Sequence, residues 1–202
     1  MKRSLEEHAS RFDAKASAYD SSKSDEYNSA VSLVVSHASP QPDDVVLDLG
    51  TGTGAIALAL TEDAGEVIGR DISAGMLAQA REKARDAGIE NVDFGEGRFR
   101  EPNAPAAVDI VTSNFAMHHL DDDAKREAIE LIGELEPRRF VLGDVMLFGE
   151  PDPTEPFYDP SVDDPATVGV LVDAFTDAGF AVTAVECIHD HVGVLVGERV
   201  LE

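Results

Sequence analysis

Cysteine, tryptophan and long apolar stretches are what this sequence has least of. Its single cysteine, Cys187, excludes a disulfide framework and a thiolate metal site. The chain has no tryptophan, and none of its apolar runs reaches the length of a membrane-spanning helix. The first residues, MKRSLEEHAS, lack the apolar core of a standard export signal. We therefore expect a cytoplasmic protein that does not enter a membrane.

Basic residues are scarce as well. Lys and Arg number 16 against 40 Asp and Glu, which gives a formal charge of −24. The acids are spread along the chain, so they indicate a surface adapted to concentrated salt, where the Debye length falls to about 3 Å at 1 M. The alternative is an acidic protein of ordinary cells with a disordered acidic tail. The charge also argues against a broad nucleic-acid surface, which needs clustered Lys or Arg.

What the sequence does contain, from Val45 onward, is an alternation of short apolar runs with amphipathic segments. The predicted strands are Val45–Leu49, Glu66–Asp71, Val92–Phe94, Val108–Ser113, Phe140–Met146, Ala181–Ile188 and Val192–Val200. The last two are close enough to pair as a hairpin. This pattern predicts a doubly wound α/β fold: a mostly parallel seven-stranded sheet, helices on both faces and a C-terminal antiparallel hairpin. Residues 1–202 would form one domain with a Rossmann-like core at 40–202.

Two segments are predicted to lie outside this alternation and to cover the site as a lid. Residues 1–39 are helical, with helices at Leu5–Tyr19 and Ser24–His37, and carry Phe12, Tyr19 and Tyr27. A proline-rich connection after Met146 carries Phe157 and Tyr158. Loops of this length on a rigid scaffold commonly hold binding residues, so we expect an apolar, aromatic lid that suits a small molecule.

The most informative motif is VVLDLGTGTG at 45–54, in which a buried strand runs into Gly50, Gly52 and Gly54 before a helix. Glycines let a ligand approach the main chain, and the helix start offers free N–H groups. The spacing differs from the Gly-x-Gly-x-x-Gly of dinucleotide sites. Asp48 would repel a pyrophosphate but attract a sulfonium and an ammonium group. The motif therefore favours a cationic ligand over NAD.

A second acid, Asp71, closes the next strand about twenty residues later. An acid at this point can accept hydrogen bonds from both ribose hydroxyls. The alternative is a solvated aspartate that caps the following helix. Because Asp71 follows the glycine turn in the sequence, the ribose role is the better interpretation of this residue.

The sequence resembles the class I methyltransferases, and within them the small-molecule type-11 family. The resemblance lies in Phe12-Asp13 and Tyr19-Asp20, in VVLDLGTGTG, and in the later segments IGRDISAGMLAQAREKA, VDIVTSNFAMHHL and RRFVLGDVM. It implies S-adenosylmethionine as the cofactor, with the three glycines under its amino acid portion, Asp71 on its ribose and Tyr19 closing over it. The expected cofactor site consists of Tyr19, Asp48, Gly50, Thr51, Gly52, Gly54, Asp71, Ile72, Met76, Gly97, Arg98 and Asn114.

The chain departs from the family where Gly-Asp usually follows the third strand. Here the pair is Gly97-Arg98, and Arg has no acceptor for the adenine amino group. Either Glu96 or a backbone carbonyl takes that role, or Arg98 stacks on the ring or faces solvent. A second departure, Glu136-Pro137-Arg138-Arg139 before the fifth strand, lies away from the cofactor.

Candidates for chemistry on the methyl acceptor follow strands four and five. The resemblance favours His119 over His118 as the residue that faces the acceptor, and Asp144 is placed to orient a polar acceptor. A base is needed only if the acceptor must lose a proton; otherwise both histidines only pack and bond within a loop. His189 and His191 are interpreted as surface residues, and no metal site is expected.

Four functions remain open, with methyl transfer to a small molecule preferred. Ser113-Asn114-Phe115-Ala116 lacks the two prolines of base-amino methyltransferases, and no Pro-Cys pair is present for attack on a pyrimidine. The alternatives are a non-catalytic regulator that binds S-adenosylmethionine, an NAD oxidoreductase, and an RNA methyltransferase. The last would use a basic edge of Arg98, Arg100, Arg138 and Arg139.

Overall fold

The computed structural model describes residues 4–105, 107–149 and 158–199. Its helices are α1 (Leu5–Lys15), α2 (Asp25–Ala38), α3 (Ala55–Leu60), α4 (Ala74–Ala87), α5 (Asp122–Glu134) and α6 (Val168–Asp177). Its strands are β1 (Val45–Leu49), β2 (Glu66–Asp71), β3 (Val92–Glu96), β4 (Ile110–Asn114), β5 (Arg139–Val145), β6 (Phe180–His189) and β7 (Val192–Arg199). Short 3-10 turns lie at Ala16–Ala18, Asp20–Ser22 and Met117–His119.

The described strands form one seven-stranded sheet in the order β3-β2-β1-β4-β5-β7-β6. Strands β1 to β5 run parallel, and β7 inserts antiparallel between β5 and β6. The order reverses between β1 and β4, and ligands of such sheets bind at that crevice beyond the carboxyl ends of the strands. The predicted fold class and the C-terminal hairpin are therefore confirmed.

Each face of the sheet is covered by helices. Ile129 and Ile132 of α5 and Phe175 of α6 pack on one face, with Phe140 of β5. On the other face, buried residues of α2, α3 and α4 pack against β1, β2 and β7. Because the parallel strands are buried on both faces, their sequences are nearly continuous apolar runs. The described ranges hold no helix with the length and apolarity that crossing a membrane requires.

Helix α2 corrects the predicted boundary between lid and core at residue 39. Its Ala30, Val34 and Ala38 are fully buried, and Val34 packs in the same cluster as Val141 of β5 and Val194 of β7. This helix therefore belongs to the core, and the segment that can act as a lid is restricted to α1 and the turns after it. The predicted helix at 5–19 also ends earlier, at Lys15.

Helix starts and ends follow the expected capping. The side chains of Ser73 and Asp121 accept the main-chain N–H of Met76 and Ala124 at the starts of α4 and α5. Gly88 ends α4 with a φ of 68°, which L side chains rarely adopt. The predicted lid residue Phe157 and the predicted strand end Val200 lie outside the described residues.

Candidate active site

A cavity of about 440 Å³ opens beyond the carboxyl ends of β1, β2 and β4. Its wall includes most of the predicted site: Tyr19, Asp48, Gly50, Thr51, Gly52, Asp71, Ile72, Met76, Gly97, Arg98, Asn114 and His119. The three remaining predicted residues, Gly54, His118 and Asp144, do not belong to this wall. Most of the predicted residues therefore line one cavity, and these three lie outside its wall.

The three glycines after β1 have positive φ angles and different neighbours. A Cβ on Gly50 would meet the Ala116 Cβ at 2.4 Å, and one on Gly54 would meet Phe94 and Ala80 at 3.1 and 3.2 Å. A Cβ on Gly52 would meet only the Tyr19 Cε1, at 3.9 Å. Gly50 and Gly54 therefore permit close packing of the protein itself. Gly52 is the glycine whose missing side chain leaves room for a ligand.

Asp71 holds this glycine turn in place. Its Oδ2 accepts the Gly52 N–H at 2.8 Å, and its Oδ1 accepts the Ser73 N–H at 2.8 Å. Burial raises the pKa of its carboxyl despite these bonds. Each carboxylate oxygen has a further lone pair, so a ribose hydroxyl can still be accepted beside the main-chain donors.

Buried polar atoms in the wall fit the amino acid end of S-adenosylmethionine. Asp48 Oδ2, Thr51 Oγ1 and both amide atoms of Asn114 are buried and make no hydrogen bond of good geometry in the described ranges, although the Thr51 hydroxyl lies close to Asp48 and the Tyr27 hydroxyl close to Asn114. Asp48 Oδ1 accepts from Thr112 Oγ1 at 2.9 Å, and burial raises the pKa of Asp48 to about 6. An unsatisfied buried polar group costs about 1–3 kcal/mol. A bound ammonium and carboxylate would satisfy these atoms.

The N-terminal segment is fastened to the core by the two aspartates of its Phe-Asp and Tyr-Asp pairs. Asp13 Oδ1 accepts from Ser73 Oγ at 2.6 Å and from the Gly75 N–H at 2.8 Å. Asp20 accepts from Thr53 Oγ1 at 2.6 Å and pairs with Lys83 at 2.5 Å. Ser73, Gly75 and Thr53 lie at the starts of the helices that follow Asp71 and the glycine turn, and Lys83 lies further along α4. These contacts place Tyr19 beside Gly52.

Another part of the wall is aromatic. The ring of Phe12 lies 5.5 Å from that of His119, and Tyr27 makes an edge contact with Phe115 at 5.2 Å. Phe115 has a φ of +52°, and such backbone strain in a non-glycine residue is concentrated at functional sites. No motif in the sequence indicates this strain.

His119 forms a buried pair with Asp163. Its Nδ1 lies 2.8 Å from Asp163 Oδ1. Burial lowers the pKa of His119 to about 4, assisted by the neighbouring His118. Burial alone would raise the pKa of Asp163, but the bond from His119, the neighbouring His118 and the bond from the Asp159 N–H lower that pKa to about 2. A neutral His119 that donates Nδ1–H to an ionised Asp163 keeps Nε2 as a proton acceptor.

Asp144 fixes the turn that carries both histidines. Its Oδ2 accepts the N–H groups of Met117 and His118 at 2.8 and 3.0 Å, and its Oδ1 lies 2.5 Å from His118 Nδ1. This residue is about 2% exposed and is outside the cavity wall. The structure thus differs from the predicted role on the acceptor, because main-chain donors and His118 already surround the carboxylate. Asp144 and His118 position His119.

Arg98 lies at the rim of the cavity rather than inside it. Its guanidinium pairs with Glu101 at 2.5 Å, and about half of the side chain is exposed. Gly97 before it is required by packing, because a Cβ there would lie 2.7 Å from the Pro102 carbonyl oxygen. Of the predicted alternatives for Arg98, the rim position agrees best with the solvent-facing one.

Residues 46–135, which include the glycine turn, Asp71 and both adjacent histidines, match the family model described as a methyltransferase domain. An uncharacterized methyltransferase of Geobacillus sp. strain WCH70 is 32% identical over 150 residues, or 72% of this chain and 65% of the relative. Residues 46–135 are thus a methyltransferase domain, and its cofactor is S-adenosylmethionine. It spans less than two thirds of the length of the curated relatives it matches first.

Solved structures agree with this methyltransferase fold. The YcgJ protein of Bacillus subtilis is 26% identical, covers 76% of this chain and 69% of its own, and has a TM-score of 0.66. The magnesium protoporphyrin IX methyltransferase of Synechocystis PCC 6803 with bound SAH is 18% identical, with coverages of 86% and 82% and a TM-score of 0.69. The finer assignment to the type-11 family stays a prediction.

Several residues of the methyltransferase site were missed by sequence reasoning. Asp163 lies in the proline-rich connection, 44 residues beyond its partner, and no motif marks it. His8 of α1 is 3% exposed and its ring lies 5.0 Å from that of His119. The surface interpretation of His191 is wrong, since this residue is 7% exposed; it packs beside Tyr158. His189 is exposed, as expected.

The burial of His119 predicts a pH dependence of stability. Its pKa of about 4 in the folded protein lies below the ordinary value of 6.5. The unfolded chain therefore protonates His119 more readily than the folded protein does. The contribution of neutral His119 to the free energy of unfolding is complete above pH 6.5 and is lost as the pH falls toward 4. Between pH 7 and 5 we expect the free energy of unfolding to drop by about 2 kcal/mol more than in His119→Gln. Guanidinium titrations of both proteins in the same salt measure this difference. Equal drops would contradict the neutral, buried state of His119.

Proposed function

We propose that this methyltransferase transfers a methyl group to a small-molecule acceptor whose accepting atom carries a proton. The observation that carries the proposal is the buried His119–Asp163 pair in the wall of the cavity. Bound S-adenosylmethionine supplies an electrophilic methyl group on a sulfonium. His119 Nε2 takes the proton of the acceptor, and Asp163 stabilises the imidazolium that forms. General-base help of this kind contributes about 10²–10⁴-fold.

Residues of the glycine turn and the strand ends hold the cofactor in this proposal. Asp48, Thr51 and Asn114 bind its amino acid portion, Asp71 its ribose, and Tyr19 closes over it beside Gly52. Ile72 and Met76 would contact the adenine. The N-terminal segment, held by Asp13 and Asp20, excludes water from the reacting atoms. Holding the two reactants in line lowers the barrier by an amount on the order of 7–11 kcal/mol.

The acceptor is expected to have an apolar or aromatic body of modest size. Phe12 lies beside His119, and Tyr27 and Phe115 also line the cavity. A concave, largely apolar cavity suits a small ligand. A base next to these rings suits a hydroxyl or an amine that loses its proton on methylation.

The arginines of the RNA alternative are engaged elsewhere. Arg98 pairs with Glu101, Arg100 with Glu127, Arg138 with Asp44 and Arg139 with Glu198. Each of these cations therefore has an acidic partner within the chain, which leaves little positive charge for phosphates. This supports a small-molecule acceptor over RNA. The His119–Asp163 pair in the cavity wall supports an enzyme over a non-catalytic regulator.

The test is methyl transfer from labelled S-adenosylmethionine into a fractionated cell extract at high salt. The proposal expects label in the small-metabolite fraction and none above background with His119→Gln. Label in RNA or protein would overturn the acceptor class. Cofactor binding by calorimetry without transfer to any fraction would support the regulator instead.

We also propose that the protein is adapted to concentrated salt, because its net charge of −24 must repel itself in dilute buffer. Raising KCl from 0.1 to 2 M should increase the melting temperature by about 10 °C, since a domain of this size gains roughly 2–4 °C per kcal/mol. Sucrose of equal osmolality is the control, because it is excluded from surfaces but does not screen charge. An equal rise in sucrose, or none in KCl, would contradict the proposal. The cytoplasmic location stays a prediction.

A further inference from the structure

Two histidines and an aspartate converge behind the acceptor side of the cavity. His118 and His119 lie in the turn after β4, and Asp163 comes from the connection before α6. One nitrogen of each ring and one oxygen of Asp163 lie within 4.8 Å of one another. His119 Nδ1 is 2.8 Å and His118 Nε2 is 3.9 Å from Asp163 Oδ1. The cluster thus brings together ligand atoms from two segments distant in sequence.

These separations fit a transition-metal ion. Zn–N and Zn–O bonds of about 2.0–2.2 Å in a tetrahedral site place neighbouring ligand atoms about 3.3 Å apart. The two distances to Asp163 Oδ1 lie on either side of that value. Imidazole with carboxylate is a ligand set for zinc, cobalt or iron, whereas calcium and magnesium prefer oxygen atoms alone.

His118 has the outer hydrogen bond that metal-binding histidines usually make. Its Nδ1 lies 2.5 Å from Asp144 Oδ1, so Nε2 is the nitrogen directed to the cluster. Asp144 is itself fixed by the main-chain N–H groups of Met117, His118 and Val145. A carboxylate behind the histidine orients the ring and raises its basicity as a ligand, and removing it typically costs 10–100-fold in affinity.

The two segments that carry the ligands are held together independently of His119. The Asp164 N–H donates to the His118 carbonyl at 2.7 Å. The buried Lys125 ammonium donates to the Leu120 carbonyl at 2.7 Å and also to the Asp164 carbonyl. Asp163 Oδ2 accepts the Asp159 N–H at 2.9 Å, which directs Oδ1 toward the histidines. Little rearrangement is then needed to place the three ligands around one ion.

We propose that His118 Nε2, His119 Nδ1 and Asp163 Oδ1 bind a divalent transition-metal ion, with Zn²⁺ as the best fit. The ion replaces the proton that His119 Nδ1 shares with Asp163. That proton moves to Nε2, which keeps the imidazole neutral, and His119 then has no acceptor nitrogen left. Binding itself is independent of the proposed function. Inhibition of methyl transfer by the ion rests on the base role proposed for His119.

The test titrates the chelator-stripped full chain with Zn²⁺ by calorimetry and with Co²⁺ by visible absorption, in molar KCl to screen the acidic surface. We expect one equivalent of each, with tetrahedral cobalt bands. His118→Gln and Asp163→Asn should each weaken binding at least 100-fold, and Asp144→Asn 10–100-fold. His189→Gln, at an exposed histidine, is the matched control and should bind like the parent.

Two results would overturn the metal site: no binding at micromolar Zn²⁺, or equal binding by the parent and both ligand variants. Circular dichroism identifies a variant that fails to fold. If one of the two ligand variants fails to fold, the zinc binding of the other one tests the metal site. One equivalent of Zn²⁺ bound with full methyl transfer would support the site and contradict the base role of His119. Methyl transfer without any zinc binding would refute the site and leave the proposed function standing.

Discussion

Gly52→Val should weaken the binding of S-adenosylmethionine by at least about 100-fold, which corresponds to roughly 3 kcal/mol. The reason is steric. A Cβ at this position projects toward Tyr19, whose Cε1 would be 3.9 Å away, and fills the space where a ligand approaches the main chain. Isothermal calorimetry with the cofactor measures the change.

Backbone strain must be separated from this loss, because Gly52 has a φ of +55°. Gly88 is a matched control: its φ is +68° and nothing lies within 4 Å of an added Cβ. Gly88→Val carries comparable strain far from the cavity, so it should lose stability and keep its affinity. If both variants bind the cofactor as the parent does, the ligand does not lie over Gly52, and the proposed cofactor position is wrong.

His119→Gln should reduce turnover by about 10²–10⁴-fold and change the affinity for S-adenosylmethionine less than about twofold. The glutamine retains a polar side chain of similar reach but cannot take a proton from the acceptor. Single-turnover rates with labelled cofactor and the acceptor found in the extract measure the first quantity, and calorimetry measures the second.

Two further variants identify the cause of that loss. His37→Gln alters a histidine near the far end of α2, paired with Glu186 at 3.5 Å, and should leave turnover unchanged. Asp163→Asn keeps the position of the side chain but removes its charge, so turnover should fall while the affinity for the cofactor is kept. If His119→Gln weakens the binding of S-adenosylmethionine and preserves turnover, this histidine belongs to the cofactor pocket.

The cofactor half of the site could be predicted from the sequence because its residues are neighbours along the chain. The strand, the glycine turn and Asp71 lie within 27 residues, and local backbone requirements mark each of them. Even here, pattern alone could not separate Gly52, which faces the cavity, from Gly50 and Gly54, which meet Ala116, Phe94 and Ala80. That difference depends on packing between distant segments.

The acceptor half could be predicted only in part. The histidine pair follows β4 directly, and the resemblance drew attention to it. Its partner Asp163 lies in a connection whose prolines predict no regular element, so only the folded chain brings the two together. Helix α2 was assigned to a lid for a similar reason: its apolar stripe shows that one face is buried, but not against what.

The way the N-terminal segment is held has a consequence for the order in which the chain folds. Asp13 accepts a hydrogen bond from Ser73 and Asp20 one from Thr53. Val34 packs in one cluster with Val194 and Val196 of β7. A ribosome releases Val34 long before it releases Val194 and Val196, the partners of Val34 on β7. Contacts of such long separation slow folding, since the loop between them must close first. The core helix α2 is thus synthesised early and fixed late, whereas the cover formed by α1 and the turns after it finds its partners much nearer in the chain.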